Sequence, residues 1–544
     1  MRKLGLILLV LGLAVCSALG LAACGGGSSG KEGGTLTGSY ASFPDYLDPA
    51  LSYTAEGWTA MYDTYLPLLT YAHTNGTDGN KVVPALAESM PEITNGDKTY
   101  THTLHKGLEY SDDTPVRASD FKSSIERLFK LNSPGMQFYE DIVGAEEFAK
   151  TKSGGISGIA TDDKTGKITI ELVKPRGTFI NELGMLFAAV LPAGTPAKTL
   201  TADPPPATGP YTIAKVETGR AWSYARNPAW ARSNGELVSE VPDGHFDKIK
   251  IGVVSNSSTQ VNEIEQDKTQ WMQTPPPADS YPEIKDKYEG TQFRVEHPIN
   301  LYFFWMNTSK APFDDLAVRQ AVNYAVDSRA LERIYSGSLT AAHQILPEEM
   351  PGHEAFDLYP HSMAKAKELM AKASPSDREI TVWTNDEDVN KEAGVYYNGV
   401  LEELGFDTTL KVIKATVYFP PVIGSKKTPD LDTGWFDWYQ DYPHPNDFFQ
   451  PLLSGESIAP VFNTNFAQID VPKLNEKIAR LEQEQLGSKQ EAEYAELDKE
   501  YMELAPLVPY GTNTVSTFVD SEIDLGKVIF NPTFGQDLTS FQLK

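Results

Sequence analysis

Short runs of alternating polarity are interleaved with runs of helical period along the whole chain. Thr35-Leu36-Thr37-Gly38-Ser39-Tyr40 predicts a first strand. Trp58, Met61, Tyr62, Tyr65, Leu66 and Leu69 recur at the spacing of one helix face. Lys98 to Tyr110 alternates as a strand does, and so does Ile168 to Val173. Ala118 to Lys130 predicts a helix with Phe121, Ile125, Leu128 and Phe129 inward. Leu301 to Met306 predicts a very aromatic strand, followed by a helix lined by Val318, Val322, Ala325 and Val326. Asp327 suits the cap of the next helix, which carries Leu331 and Ile334. A helix from Asn390 to Leu404 ends at Gly405, a residue suited to the left-handed position past a helix end. A strand from Thr408 to Ile413 follows, and one long charged helix is expected over Pro472 to Leu504. This mixture, without an internal repeat, predicts an α/β or α+β chain rather than an all-helical one. Pro204-Pro205-Pro206 and Pro275-Pro276-Pro277 punctuate it at candidate boundaries.

The N-terminus has a different pattern. Met1-Arg2-Lys3 is a short positive region, and Leu4 to Ala23 is almost wholly apolar. Leu21-Ala22-Ala23-Cys24-Gly25 then resembles the lipobox of bacterial lipoproteins, in which the cysteine is lipidated and becomes the mature N-terminus. An uncleaved membrane anchor and an ordinary secretory signal are the alternatives, since about 20 apolar residues span a bilayer. The sequence GGGSSGKEGG over Gly25 to Gly34 reads as a flexible tether of roughly 15–20 Å. The expected layout is a signal peptide at 1–23, a lipidated Cys24 with tether at 24–34, and an extracytoplasmic body held at the cell membrane.

Composition narrows the chemistry. The chain has 544 residues, 40% hydrophobic and 10% aromatic, enough apolar surface to exclude bulk disorder. The net charge of −27 argues against nucleic acid, whose phosphates need clustered Lys and Arg. The only two cysteines are Cys16 and Cys24, so the body holds no disulfide, cysteine-ligated zinc or cysteine nucleophile. Gly-x-Ser-x-Gly, His-Glu-x-x-His, Walker A and Gly-x-Gly-x-x-Gly motifs are all missing, so an enzyme is not expected. His102 and His105 lie in an alternating segment that sends them to opposite faces, and Asn75 to Asn80 lacks the acidic terminal ligand of a calcium loop. No metal or cofactor is expected.

The most unusual stretch is Gly434-Trp435-Phe436-Asp437-Trp438-Tyr439-Gln440-Asp441-Tyr442-Pro443-His444-Pro445. Tryptophan and tyrosine offer flat apolar faces with a polar tip, a common lining of ligand clefts. A structural corner could use the same residues.

Seven motifs in order resemble the family 5 solute-binding proteins, the peptide, oligopeptide and nickel receptors of ABC importers. They are Leu47-Asp48-Pro49; Pro84 to Ser89; Tyr100 to Asp112 with the alanine, aspartate and arginine of Ala118 to Arg127; Thr208-Gly209-Pro210-Tyr211; Arg226-Asn227-Pro228; Val318 to Asp327; and Asp441-Tyr442-Pro443-His444-Pro445. Asp113, His102, His105, Asp437 and His444 depart from the family pattern.

The resemblance implies a two-lobe, type II periplasmic-binding-protein-like α/β fold with an extra subdomain. Lobe I is expected at 35–75, 200–298 and 512–544, the subdomain at 76–199, and lobe II at 299–511. It implies a monomeric receptor that closes on its ligand and presents it to a membrane permease. In peptide-binding members the acid at Asp441 pairs with the ligand's α-amino group, and the tryptophan at Trp438 lies beside the backbone. Aromatic placement adds Trp435, Tyr439 and Trp305 as cleft candidates, with core packing an equal reading for Trp305. The alternative ligands are an oligosaccharide or other small molecule, then a nickel chelate. A secreted hydrolase using two carboxylates is the remote alternative.

Overall fold

The structure is a computed structural model that describes residues 32–544. The expected signal peptide, Cys24 and most of the expected tether lie outside the described residues. Two sheets dominate. The first has seven strands in the spatial order Phe293–Glu296, Val515–Val519, Trp271–Met272, Thr35–Tyr40, Lys248–Val253, Ala221–Arg226 and Tyr211–Glu217. The second has six, in the order Leu339–Thr340, Leu507–Asn513, Asn300–Met306, Thr433–Tyr439, Glu379–Asn385 and Asp407–Ile413. Each sheet carries its own hydrophobic core. A separate antiparallel sheet of four strands, Glu92–Thr94, Thr99–Thr103, Lys167–Glu171 and Ile159–Asp162, builds the subdomain attached to the first.

The chain passes between the two large sheets twice, from Glu296 to Asn300 and from Asn513 to Val515. The second passage lies a little beyond residue 512, because Leu507–Asn513 pairs with Asn300–Met306 in the second sheet. Asn300 ties the two passages together: its Oδ1 accepts the Asn513 N–H at 2.8 Å, and its Nδ2 donates to the Asn513 carbonyl at 2.7 Å.

Three predicted elements differ in extent. The Trp58 helix is Ala55–Met61 only, because Pro67 has no amide hydrogen and restricts Leu66, and the chain leaves as strand Leu69–Tyr71. The strand predicted over Lys98 to Tyr110 ends at Thr103, and Gly107 turns the chain with φ +90°. The long C-terminal helix is two, Pro472–Glu482 and Ser488–Leu504, parted where Gly487 adopts extended backbone. By contrast, Asp327 caps helix Ser328–Ile334 by accepting the Arg329 N–H, and Gly405 takes φ +92° after helix Asp388–Glu403.

The C-terminal tail returns over the first lobe. His73 Nδ1 lies 2.6 Å from Asp537 Oδ2, and Asp63 Oδ2 accepts the Leu538 N–H at 2.8 Å. Asp63, His73 and Asp537 are the one group of three metal-ligand types close together among the described residues. Their short hydrogen bond and the stacking of His73 on Tyr62 at 4.3 Å make them a clasp for the tail. His102 is buried in its strand, and burial pushes its imidazole down to about 4.

Candidate ligand-binding cleft

Strand Thr433–Tyr439 runs antiparallel to Asn300–Met306 in the middle of the second sheet, and the register decides which side chains can reach the cleft. Tyr302 faces Asp437, Phe304 faces Trp435 and Asn300 faces Tyr439, all on one side of the pleat. The other side carries Trp305, Phe436 and Trp438. Trp305 is fully buried and packs on Phe466 at 6.2 Å between centroids. Gly434 opposite leaves it room, since a Cβ there would lie 2.8 Å from the indole. Trp305 is therefore a core residue, away from the cleft. Trp435, on the side of the pleat that carries Asp437 and Tyr439, is 2% exposed, and its indole N–H donates to the Tyr510 hydroxyl at 2.7 Å. Tyr439 is half-buried nearer the strand end, with its hydroxyl 3.0 Å from that of Tyr302.

Beyond Tyr439 the chain turns through Asp441, Tyr442 and Pro443 into helix Asn446–Leu453. The turn is held by Asp447, whose Oδ2 accepts the Asp441 N–H at 2.8 Å and the Trp438 indole N–H at 3.4 Å. Asp441 is buried against the opposite lobe, where Tyr53 donates its hydroxyl to Asp441 Oδ2 at 2.5 Å. Tyr53 is delivered by a loop pinned on Asp45, which accepts the Tyr53 N–H at 2.7 Å and the Ser52 hydroxyl at 2.6 Å. The Tyr53 ring stands edge-on to Trp438 at 6.4 Å. Asp441 and Trp438 thus meet, in one wall, a tyrosine from 388 residues away in sequence.

Neither Asp441 nor Asp447 has an ion-pair partner among the described residues. Burial pushes the Asp441 carboxyl up to about 7, against the opposing effect of the Tyr53 hydrogen bond. Burial and then the charge of Asp441 hold Asp447 well above the carboxylate range. Further along the cleft, Asp437 feels the charge of Glu56 from the first lobe, and both act on Glu387 beside helix Asp388–Glu403. Burial and then Glu56 push Asp437 up to about 7. Glu387 is exposed at the surface, yet partial desolvation by its surroundings, then Glu56, Asp437 and Asp386, push it up to about 8.

The lobes also meet at the rim. Gln440 Nε2 reaches Asn80 Oδ1 at 2.9 Å and Thr533 Oγ1 at 3.0 Å. Arg176 of the subdomain bonds Glu182 at 2.9 Å and Asp141 at 2.8 Å on its own side, and reaches Glu482 of the second lobe at 3.2 Å. The neighbouring Gly177 N–H donates to the Glu482 carbonyl at 2.7 Å, an approach that excludes a side chain because a Cβ would lie 2.0 Å from the Glu484 oxygen. The lobes are closed on each other, and Asp441, Trp438, Tyr439, Asp437, Glu56 and Tyr53 lie between them.

This arrangement binds rather than transforms. It offers uncompensated carboxylates, phenol hydroxyls and aromatic faces between two lobes. The chain belongs to the bacterial extracellular solute-binding proteins, family 5, whose model matches residues 81–459. It is an extracytoplasmic solute receptor and not an enzyme. Among its relatives is the heme-binding protein A of Haemophilus influenzae, 27% identical over 85% of this chain and 84% of the relative. A probable di/tripeptide-binding protein 5 of Pseudomonas aeruginosa is 25% identical over 85% and 87%. The fold matches that of the ABC transporter-associated periplasmic binding protein DppA of Helicobacter pylori in complex with the peptide STSA, with a TM-score of 0.79 and 21% identity over 94% of this chain and 98% of that one.

Sequence reasoning missed Tyr53, Asp447, Glu56 and Glu387. Asp447 stands six residues after Asp441 and could have been found as the acid that closes the turn. The others come from segments with no spacing relation to it.

Proposed function

We propose that the protein captures peptides between its lobes for an ABC importer and reads their free amino terminus with Asp441. The observation that carries this is a carboxylate buried between the lobes with no cation beside it. A peptide ammonium supplies the missing charge. At about 4 Å such a pair gains roughly 4 kcal/mol at an effective dielectric near 20, before desolvation. Trp438 lines the same wall, and Tyr439 with Tyr302 offers hydroxyls to the peptide backbone. Glu56, Asp437 and Glu387 are all held above the usual carboxylate range in the next part of the cleft, and a second positive charge on the ligand would stabilise their ionised forms. The family and the peptide-binding names among the relatives support this reading.

The heme relative suggests another ligand, and the cleft speaks against it. A porphyrin brings two carboxylates of its own, which five cleft acids would repel. An oligosaccharide would use the aromatic faces but would leave Asp441 unpaired.

The LAAC sequence at Cys24 supports a diacyl anchor beside the permease, since two acyl chains hold far more firmly than one. Replacing Cys24 by Ala should release the protein from the membrane fraction; retention of the variant together with a parent free of lipid by mass would reject the anchor. Light scattering should give a monomer. The substrate is tested by denaturing the purified protein and identifying by mass spectrometry what it carried. Peptides with free amino termini support the reading, and a glycan or porphyrin in their place overturns it.

A further inference from the structure

The clasp on the C-terminal tail joins side chains from three separate segments, all almost fully buried. Asp63 follows helix Ala55–Met61, His73 follows strand Leu69–Tyr71, and Asp537 belongs to the tail. Each carboxylate gives one oxygen to the tail itself. Asp63 Oδ2 accepts the Leu538 N–H at 2.8 Å; Asp537 Oδ1 accepts the Thr539 N–H at 2.8 Å and also the Thr539 hydroxyl. The two remaining oxygens converge on His73 Nδ1, Asp537 Oδ2 at 2.6 Å and Asp63 Oδ1 at 3.8 Å. Asp63 Oδ1 is buried and has no hydrogen-bond partner. An acceptor left so carries its full desolvation penalty, which calls for something to fill the gap.

We propose that Asp63 Oδ1, His73 Nδ1 and Asp537 Oδ2 are the ligands of one divalent transition cation such as zinc, which locks the tail onto the first lobe. Ligand atoms about 2.1 Å from a tetrahedral zinc stand about 3.4 Å from one another. The two separations from Nδ1, 2.6 and 3.8 Å, lie on either side of that value, and one ligand atom of each residue lies within 4.8 Å of the others. Small side-chain rotations therefore bring all three onto one ion, and a water completes the four ligands. The oxygens not offered to the ion are the ones that bond the tail's backbone, the outer-shell pattern that orients metal ligands.

Charge and donor type agree with this. Among the described residues neither acid has a Lys or Arg partner; His73 is the one basic group beside them. A proton on His73 would balance one buried carboxylate, whereas a dication balances both while the imidazole stays neutral. One imidazole nitrogen with two carboxylate oxygens suits zinc and its neighbours, while calcium and magnesium take all-oxygen shells. His73 Nε2 lacks a partner whether Nδ1 holds a proton or an ion, so it does not decide between them. The ring is already held in place by its stack on Tyr62, which in turn stacks on Phe534 of the tail at 4.4 Å. His73 and Asp537 stand 464 residues apart, so no spacing in the chain announces the group. The site lies outside the cleft and is independent of which ligand the cleft takes.

The test uses the full chain stripped of metal with a chelator, and Zn2+ and Co2+ as probes. The parent should bind one tight equivalent of Zn2+ by calorimetry and melt at a higher temperature with it. The Leu538 and Thr539 amides should then exchange their hydrogens at least about tenfold more slowly. Bound Co2+ should show the strong visible bands of a four-coordinate ion rather than those of the hydrated one. Excess Ca2+ or Mg2+ should do none of this. Asp63→Asn, which keeps an oxygen for the Leu538 N–H, should weaken Zn2+ by more than about 100-fold. With 74 acids on the chain, weak surface binding is expected as a background. Zinc held equally by parent and variant is therefore an adventitious ion only, and overturns the proposal. A folded parent that takes up neither probe overturns it as well. If the variant does not fold, the parent decides: cobalt bands of the hydrated ion, or zinc uptake that leaves the Leu538 and Thr539 amides unchanged, reject the site.

Discussion

Two buried aspartates on the walls of this molecule have opposite surroundings. Asp48, in the first lobe, receives the Arg127 guanidinium on both oxygens, at 2.8 and 2.6 Å, and the N–H groups of Ala50 and Leu200 at 3.1 and 3.2 Å. Asp441, between the lobes, receives one tyrosine hydroxyl and no cation. Both are almost fully buried. The first is complete within the fold and holds a loop against a helix. The second is left short of one positive charge, which marks it as a place where something from outside must be received. Burial alone does not separate structure from function here; the presence of a counter-charge does.

Removing the cation from the complete site is the most damaging way to test that contrast. Arg127→Met should cost about 3–5 kcal/mol of stability in urea unfolding, because Asp48 is then left buried and unpaired. The mirror change, Asp441→Asn, should leave stability unharmed and instead cost about 2–5 kcal/mol in affinity for a free-amine peptide. The same variant should lose little with the acetylated peptide; equal losses on acetylation in parent and variant would make Asp441 structural.

The pH dependence of the ligand-free protein sharpens the difference further. Folded-state values near 7 for Asp437 and Asp441 lie above the unfolded carboxylate value. The folded protein therefore holds extra protons, and these two groups lower stability as pH rises from about 4 to about 7. Changing both to Asn should flatten that decline, by on the order of 2 kcal/mol because Asp437 still reaches cleft water. A melting profile from which the two substitutions remove nothing would mean both acids are better solvated than their surroundings imply. The smallest effect is expected from Tyr53→Phe. It removes the hydroxyl that stands in for a ligand, so calorimetry should show peptide affinity rising by about 1 kcal/mol.

Much of the fold was legible because its signals are local. Asp327 as a cap, Gly405 as a helix stop and the aromatic strand ending at Met306 need only their neighbours. The seven motifs also carried long-range information: Asp48 and Arg127 belong to two of them and meet in one ion pair. Asp441 was reachable by the same route. Trp435 shares one side of the pleat with Asp437 and Tyr439, and Trp305 shares the other with Trp438, so alternation along these strands does not by itself tell which aromatics line the cleft. Tyr53 and Glu56 were not legible, since only closure of the lobes brings them toward Asp441 and Asp437, and Glu387 was not, since it comes to Asp437 from the neighbouring strand Glu379–Asn385 of the same sheet. With 74 acids in the chain, no spacing rule singles out the three that converge.

The double bond between Asn300 and Asn513 has a mechanical consequence. Two separate crossing strands would let one lobe twist and slide as well as swing. Fastened side by side, they behave as a single flat strip, soft to bending across its width and stiff to shear and torsion. A lobe hung on such a strip is resisted in twisting and sliding more than in swinging, a pinned door rather than a ball joint. Closure guided in this way would bring Tyr53 to Asp441 and Gly177 to Glu482 together, so that one joint sets the geometry of two distant seams.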